Sequence, residues 1–368
     1  MKTVRILVSL AVLAFGCGRQ QLPAETEIPL CNLSILDSVG VELGDSAYIF
    51  GGIMGIEFMP DGGFAVLDRA TCNIRLFTDM GEHTATIGRR GTGPGEIVQP
   101  YGLLLWSNGD LGVIDPFQGG LLRFSPDGEY LGIVFEATHN IPFDPRMVGD
   151  TAYIAQRTSI ETEGDQTFME TYLGFFPMSH EPSLKYISDR IPLDPAGMAD
   201  YILHSFFYSS WAVDPASGTL YAAPFHEGEY RILAFPFEGG DPRVIGMEVE
   251  PVAKTPEEIE LEKAFVASYL TAAEGGNPMY DVNCEPWPFK LPVEGMYVDD
   301  SGNLWVLRGD TGEVLFNVWN SSGERIFDVA LPGFPAGDHS FRIRGDRMLL
   351  WRENPTDYQK VYIIAIPW

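Results

Sequence analysis

A unit of four short apolar runs separated by tight turns recurs along this chain, and it is clearest over residues 101–135. Its turns contain Asn108-Gly109 and Asp127-Gly128, and these residue types accept the positive φ that tight hairpin turns require. Apolar runs between such turns predict four antiparallel strands in a meander. One meander cannot bury both of its faces, so it must stack against further copies.

The spacing of the turns gives the size and number of these copies. The turn glycines Gly62 and Gly109 lie 47 residues apart, which is about the length of one four-stranded propeller blade. Two later spacings, of 69 and 84 residues, predict blades that carry insertions. The chain is therefore predicted to be all-β, a six-bladed β-propeller with four-stranded antiparallel blades. The later turns that complete the count of six units contain Gly149, Gly218, Gly302 and Gly345.

The order of the motifs GRRGTGPGEIVQP, LGVID and LLRFSPDGEYLG resembles that of NHL-repeat propellers, in particular the six-bladed propeller lipoproteins of bacteria. The resemblance is clearest over residues 50–135 and again over 290–330. It implies the fold but no single activity, because propellers serve as enzymes, binding proteins and scaffolds alike.

The first 27 residues predict export. Lys2 and Arg5 precede an apolar run at residues 6–15, as in a secretory signal, which we assign to residues 1–16. Cys17 ends a segment that resembles a bacterial lipobox, so we expect Cys17 to be lipidated and residues 17–27 to form a tether. Ordinary secretion with cleavage nearby is the alternative. The expected location is a bacterial membrane surface, at the outer membrane or on the periplasmic or outer side, with the lipid as the only membrane contact.

Residues 28–368 are predicted to form the propeller domain. The last blade shows only three strands, so residues 28–36 are expected to supply its fourth strand and close the ring. Residues 255–270 predict a helical insertion, with Thr255 as N-cap and Pro256 in the first turn. The helix is expected to rest on the propeller, and a second insertion is expected at residues 191–203. The apolar positions expected to face the propeller are Ile259, Phe265, Val266 and Leu270.

The charge limits the partners that the chain can bind, and the cysteine content limits its disulfides. The net charge of −27 would repel phosphate, so the sequence excludes nucleic acid as a partner. We expect a monomer that binds an unknown small ligand or an envelope protein.

Three cysteines remain besides Cys17, namely Cys31, Cys72 and Cys284. This odd number allows at most one intramolecular disulfide. Cys72 with Cys284 is the favoured pair, and three free thiols are the alternative.

The loops after the second strand of each blade and the crossings between blades share one face, where propellers usually bind ligands. Arginines recur there, and guanidinium groups suit carboxylates, phosphates or sugar acids. The alternative is that these arginines pair with Asp68, Asp115, Asp310 and Glu353 and so tie the blades together. Glu96 or Arg90 is expected to stabilise the glycine-rich crossing as a tight turn. The predicted ligand-binding residues are Arg69, Arg90, Asp115, Arg157, Arg308 and Arg352.

A second functional interpretation is a hydrolase or lyase assisted by a metal, with Ca²⁺ held by carboxylates near the innermost strands. The candidate ligands are Glu57, Asp214 and Asp299, and carboxylate oxygens suit Ca²⁺. Their positions along the strands differ, which would place them at different depths. No catalytic residue and no cofactor is assigned otherwise. The favoured function is an exported binding scaffold acting through its loop-rich face, and the alternative is a calcium-assisted enzyme for a small carbonyl or sugar-acid substrate.

Lipidation at Cys17 is directly testable. The acyl chains of a lipoprotein move it into the membrane fraction, and Cys17→Ser removes the acceptor sulfur. We expect the full chain to partition into the detergent phase of Triton X-114 and the Cys17→Ser variant to remain in the aqueous phase. Equal partitioning of the two proteins would favour ordinary secretion.

Overall fold

The computed structural model confirms the six-bladed β-propeller with four-stranded antiparallel blades. It describes residues 28–139, 141–194, 197–199, 210–223, 228–273, 285–337, 339–353, 355 and 357–368. Within each blade the strands follow one another from the innermost to the outermost position. Consecutive innermost strands contact each other around the ring, including those of the last and first blades.

Two short strands, β1 (Leu30–Asn32) and β2 (Ser34–Val39), precede the blades. Blade 1 contains β3 (Ile53–Phe58), β4 (Phe64–Asp68), β5 (Asn73–Phe77) and β6 (His83–Ile87). Blade 2 contains β7 (Gly102–Leu105), β8 (Leu111–Asp115), β9 (Gly120–Phe124) and β10 (Tyr130–Glu136). Blade 3 contains β11 (Phe143–Val148), β12 (Ala152–Glu163), β13 (Gln166–Phe176) and β14 (Leu184–Pro192).

Blade 4 contains β15 (Ser210–Asp214), β16 (Thr219–Ala223), β17 (Tyr230–Pro236) and β18 (Arg243–Met247). One helix, α1 (Pro256–Ala273), lies between blades 4 and 5 in the sequence. Blade 5 contains β19 (Gly295–Val298), β20 (Leu304–Leu307), β21 (Glu313–Trp319) and β22 (Arg325–Pro335). Blade 6 contains β23 (His339–Arg344), β24 (Arg347–Arg352) and β25 (Val361–Ala365).

The N-terminal segment closes the ring, although not over the predicted residues 28–36. β2 pairs antiparallel with β25 and becomes the outermost strand of blade 6. β1 instead pairs in parallel with β22, so that blade 5 has five strands. The change of partner occurs at Leu33, whose side chain is buried and whose N–H donates to Ala330 O at 2.8 Å. The segment thus covers two outer sheet edges.

Apolar clusters between neighbouring blades form the core. Phe64, Tyr153 and Trp305 are among the largest fully buried side chains, and each belongs to a cluster that joins two adjacent sheets. Tyr153 stacks on Phe176 with ring centroids 5.0 Å apart. Each such side chain contributes about 1.5–3 kcal/mol through burial. Because both faces of every blade are packed in this way, the ring holds the innermost strands around a central channel.

Blade 3 departs from the expected pattern. β12 and β13 have 12 and 11 residues, roughly twice the length of their counterparts in blades 1 and 2. Part of the long spacing that predicted an insertion is therefore extended strand, and β14 includes Ile191 of the predicted insertion 191–203. Of the rest of that insertion, residues 195–196 and 200–203 lie outside the described part of the chain. The longer strands β12 and β13 extend blade 3 on the face that carries the loops after strand two.

The predicted helix is present as α1, and Thr255 caps it. The Thr255 hydroxyl accepts from Glu258 N, and the Glu258 carboxylate accepts from Thr255 N, which forms a capping box. Val266 is buried as expected, whereas Phe265 is 45% exposed. The side chain of Leu270 is outside the described set. Among the described residues, no helix has the length and apolarity needed to cross a membrane.

Removing the closing segment should destabilise the whole ring. A chain that begins at residue 41 loses the burial of Leu33 and Val39, which costs on the order of 3 kcal/mol or more, and exposes the edges of β22 and β25. We expect a lower urea midpoint and aggregation on size exclusion. The matched control is a chain that begins at residue 28, and identical midpoints for the two would contradict this account of closure.

Candidate functional site

We call the face that carries the loops between strands two and three the upper face. At blade 1, a loop of this face lies close to the central channel. The loop after β4 lies directly against the start of β3, and Arg69 N donates to Gly52 O at 2.7 Å. A Cβ at Gly51 would lie 2.4 Å from Ala70 Cβ, so only glycine permits this approach. The side chain of Arg69 consequently lies next to Gly52, at the entry to the innermost strand.

Arg69 and Arg90 come together in this corner. Arg90 reaches from the crossing between blades 1 and 2 and donates to Ala70 O at 2.9 Å and to Arg69 O at 3.5 Å. Both arginines are exposed, and neither forms an ion pair with any residue that the structure describes. We call Arg69, Ala70 and Arg90 the blade-1 corner, which presents two cationic side chains to solvent.

The carboxylates near the corner are already engaged. Asp68 is fully buried, pairs with Arg75 at 3.2 Å and also accepts from Gly51 N and Ala70 N. Asp115, a predicted ligand-binding residue, is fully buried and accepts four backbone N–H groups. These donors belong to Val98, Gln99, Phe117 and Gln118. Asp115 thereby fastens the crossing to blade 2 and has no exposed surface to offer a ligand.

The glycine-rich crossing between blades 1 and 2 binds the carboxylate of Glu96, which is one of its own residues. Glu96 accepts from Gly93 N at 2.8 Å and pairs with Arg89 at 2.7 Å. These contacts, with the Gly93 hydrogen bond foremost, lower the pKa of Glu96. A Cβ at Gly91 would lie 2.0 Å from a Glu96 oxygen, so a side chain at this position would displace the Glu96 carboxylate. Glu96 therefore occupies the turn, and the structural role expected for Glu96 or Arg90 is seen for both.

The other three predicted arginines are used in different ways. Arg157 lies in the middle of β12, not after it as predicted, and donates to His180 O. Arg308 forms a two-pronged ion pair with Asp310, at 2.7 and 2.5 Å, within blade 5. Arg352 donates to Ala336 O at 3.3 Å. The six predicted positions therefore do not form one pocket, and only Arg69 and Arg90 meet.

Cys72 follows the blade-1 corner and is a free, buried thiol. It donates weakly to Arg69 O and Val98 O at 3.3 and 3.2 Å, and burial raises its pKa. The favoured disulfide with Cys284 is therefore not formed by Cys72, because its sulfur is enclosed between two carbonyl groups of the upper face. Cys284 lies outside the described residues.

The three candidate metal ligands are held separately. Asp214 caps the turn after β15 by accepting from Ala216 N and Ser217 N. Asp299 does the same after β19, and it also accepts from Trp305 Nε1 at 2.9 Å. Glu57 pairs with Arg342 of blade 6 at 3.0 Å. Within the described part of the chain, no three His, Cys, Asp or Glu side chains are grouped to hold a metal ion.

The central channel contains a polar cluster that the sequence analysis missed. Arg342 of β23 is buried, donates to Glu57 and to Phe341 O, and lies 5.5 Å from the ring centroid of Tyr297. Arg146 of β11, on the opposite blade, forms a two-pronged pair with Asp144 at 2.5 and 2.8 Å. We call Arg342, Glu57, Tyr297, Arg146 and Asp144 the channel cluster.

Electrostatics shows that the members of the channel cluster affect one another. Burial, followed by repulsion from Arg342, lowers the pKa of Arg146. Burial, with the neighbouring Glu57 carboxylate, raises the pKa of Tyr297 to about 12. A signal for this cluster existed in the sequence, because arginine is rare in the innermost strand of a packed sheet.

Comparison with known proteins supports the fold. Residues 45–160 match the model of the family DUF5128, described as a 6-bladed beta-propeller. A search of curated protein sequences gives no significant match.

Three solved structures illustrate the likeness. A protein of Bacteroides fragilis described as exported is 12% identical, with a TM-score of 0.50 over 92% of this chain and 99% of that one. A duf4221 family member from Bacteroides vulgatus is 12% identical, with a TM-score of 0.50 over 90% and 97%. The calcium-binding protein regucalcin from Agrobacterium tumefaciens is 12% identical, with a TM-score of 0.48 over 92% and 95%. At this identity, the likeness to the two Bacteroides proteins shows the architecture of the fold alone.

The role of Asp115 can be separated from ligand binding by its effect on stability. Asp115→Asn replaces one acceptor oxygen by an NH₂ group that faces backbone donors, so it should cost about 2 kcal/mol or more of unfolding free energy. The control, Asp127→Asn, changes an exposed turn carboxylate and should alter stability by less than about 0.5 kcal/mol. Equal urea midpoints for the two variants would contradict the structural role.

Proposed function

We propose that this protein is an exported, lipid-anchored binding scaffold that captures an anionic ligand at the blade-1 corner of its upper face. The chemical class proposed is a carboxylate-bearing saccharide. Guanidinium groups bind carboxylates through paired, charge-assisted hydrogen bonds, and two of them side by side can hold neighbouring carboxylates on one ligand. The N-terminal sequence with Cys17 supports export and anchoring.

The observation that carries the proposal is the lack of ion pairing at the corner. Arg69 and Arg90 are exposed, and in the described structure the nearby carboxylates Asp68, Asp115 and Glu96 are engaged by other groups. On a chain with a net charge of −27, neighbouring cations without carboxylate partners form a distinct electrostatic feature. Such a feature attracts anions locally, while the remaining surface repels them.

The surrounding architecture also supports binding. The corner adjoins Gly52 at the start of an innermost strand, so a ligand there would lie at the mouth of the channel. The long hairpin of β12 and β13 and the segment that contains α1 are further additions to the ring. Such additions give a propeller a shaped surface without altering its core, since loops and strand extensions tolerate change.

The test uses oligogalacturonate as the probe and its methyl-esterified form as the neutral counterpart. We expect calorimetry to show binding of the acid form that weakens with added salt, and little binding of the ester. The double variant Arg69→Gln/Arg90→Gln should bind at least about tenfold more weakly, because each lost charge-assisted contact is worth about 1.5–3 kcal/mol. Its melting temperature should remain close to that of the parent.

The matched control is Arg243→Gln/Arg347→Gln, which removes the same charge from the opposite face. Arg243 donates to backbone carbonyls as Arg90 does, and Arg347 pairs only with its neighbour Asp346 among the residues described. Equal loss of affinity in both double variants would refute a site at the corner. Binding that is abolished by EDTA and restored by Ca²⁺ would instead favour the calcium-assisted alternative with Glu57, Asp214 and Asp299.

A further inference from the structure

The channel cluster contains an arginine whose bonding is incomplete. Asp144 takes the two terminal nitrogens of Arg146, and the remaining N–H, at Nε, is buried with no hydrogen-bond partner in the described structure. A buried donor without an acceptor is unfavourable, and such groups in a folded protein call for an explanation. The open edge of Arg146, formed by Nε and one Nη, has the geometry that matches a carboxylate.

A second unpartnered donor lies on the neighbouring innermost strand. Trp211 of β15 is buried, and no described group accepts its Nε1–H. Ile154 connects the two positions: it is the register partner of Arg146 across β11 and β12, and it packs in the same apolar cluster as Trp211. In the described structure, two buried donors without acceptors therefore come from the innermost strands of adjacent blades.

The backbone at Asp144 is strained. Asp144 has φ of +47°, and the pairing of β11 with β12 shifts register between Phe143 and Arg146. Positive φ is unfavourable for a residue other than glycine and persists where the surroundings enforce it. The Asp144 side chain is 47% exposed, whereas that of Arg146 is 15% exposed. The Asp144 carboxylate is therefore the more exposed member of the pair, and it leaves the Nε edge of Arg146 open.

We propose that the central channel is a second binding site, for a small carboxylate, which binds the Nε edge of Arg146 while Asp144 keeps the terminal edge. The ligand would engage the Nε edge of Arg146 and accept from Trp211 Nε1. Arg342 adds positive charge from the opposite blade, and Glu57 already holds its Nε at 3.0 Å. The site uses different residues from the blade-1 corner, so it can exist whether or not that corner binds a ligand.

The experiment is made in the Arg69→Gln/Arg90→Gln background, so that the upper face does not contribute. D-glucuronate is the probe, glucose is its neutral counterpart, and inorganic phosphate distinguishes a carboxylate site from a general anion site. We expect glucuronate to bind in calorimetry, and glucose and phosphate to bind at least about tenfold more weakly.

Three variants test the residues. Trp211→Phe keeps an aromatic ring but removes the donor and should weaken glucuronate binding about tenfold, which corresponds to one hydrogen bond to a charged group. Arg146→Gln should abolish binding. Asp144→Asn should strengthen it, because the variant removes a negative charge next to the ligand carboxylate. Strengthening in Asp144→Asn cannot result from misfolding, so this variant keeps the test decisive if Arg146→Gln is unstable.

The control is Arg347→Gln, which removes another arginine paired with a carboxylate close to it in the sequence. Its glucuronate affinity should equal that of the background. Unchanged affinity in both Trp211→Phe and Asp144→Asn would overturn the proposal, as would preferential binding of phosphate. Loss of oligogalacturonate binding with retained glucuronate binding would separate the two sites.

Discussion

Every blade of this protein is a sheet with two apolar faces, and the ring exists because each sheet needs a neighbour on both sides. The large buried side chains Phe64, Tyr153 and Trp305 all lie between blades. A ring meets this requirement for all six sheets only if it closes. The chain closes it with β2 on the outer edge of blade 6, and β1 continues onto blade 5. The stability of the fold thus depends on residues far from the strands they complete.

The same closure determines where polar groups are held. The innermost strands carry side chains from opposite blades into one channel, which is how Arg146 and Arg342 come to influence each other. Buried charges need partners, and each guanidinium has one carboxylate. Among the described residues, the buried donors without a hydrogen-bond partner include Arg146 Nε and Trp211 Nε1, and an acceptor would stabilise each of them. The blade-1 corner differs, because the carboxylates near it are engaged by backbone N–H groups or by other arginines, and its two exposed arginines have no carboxylate partner among the described residues.

The predicted and observed sites differ for a physical reason. Equivalent positions in a repeat have equivalent backbone locations, but their side chains meet different neighbours. Arg69 lies beside a pair of glycines and remains exposed. Arg308 pairs with Asp310, two residues away. Arg157 lies inside β12, which is longer than the second strands of the other blades. A recurring arginine therefore predicts a shared position on the blade and not a shared function.

The sequence by itself determined the class of fold, because turn spacing and short apolar runs are local signals that survive without knowledge of the partners. It also determined the capped helix at Thr255, since capping is decided within four residues. Only the tertiary structure decided that the N-terminal segment divides between two blades. It alone decided that Cys72 lies between two carbonyls and that Glu57 faces Arg342 across 285 positions of the sequence. These contacts join residues from different blades, and no local pattern encodes which side chains a closed ring brings together.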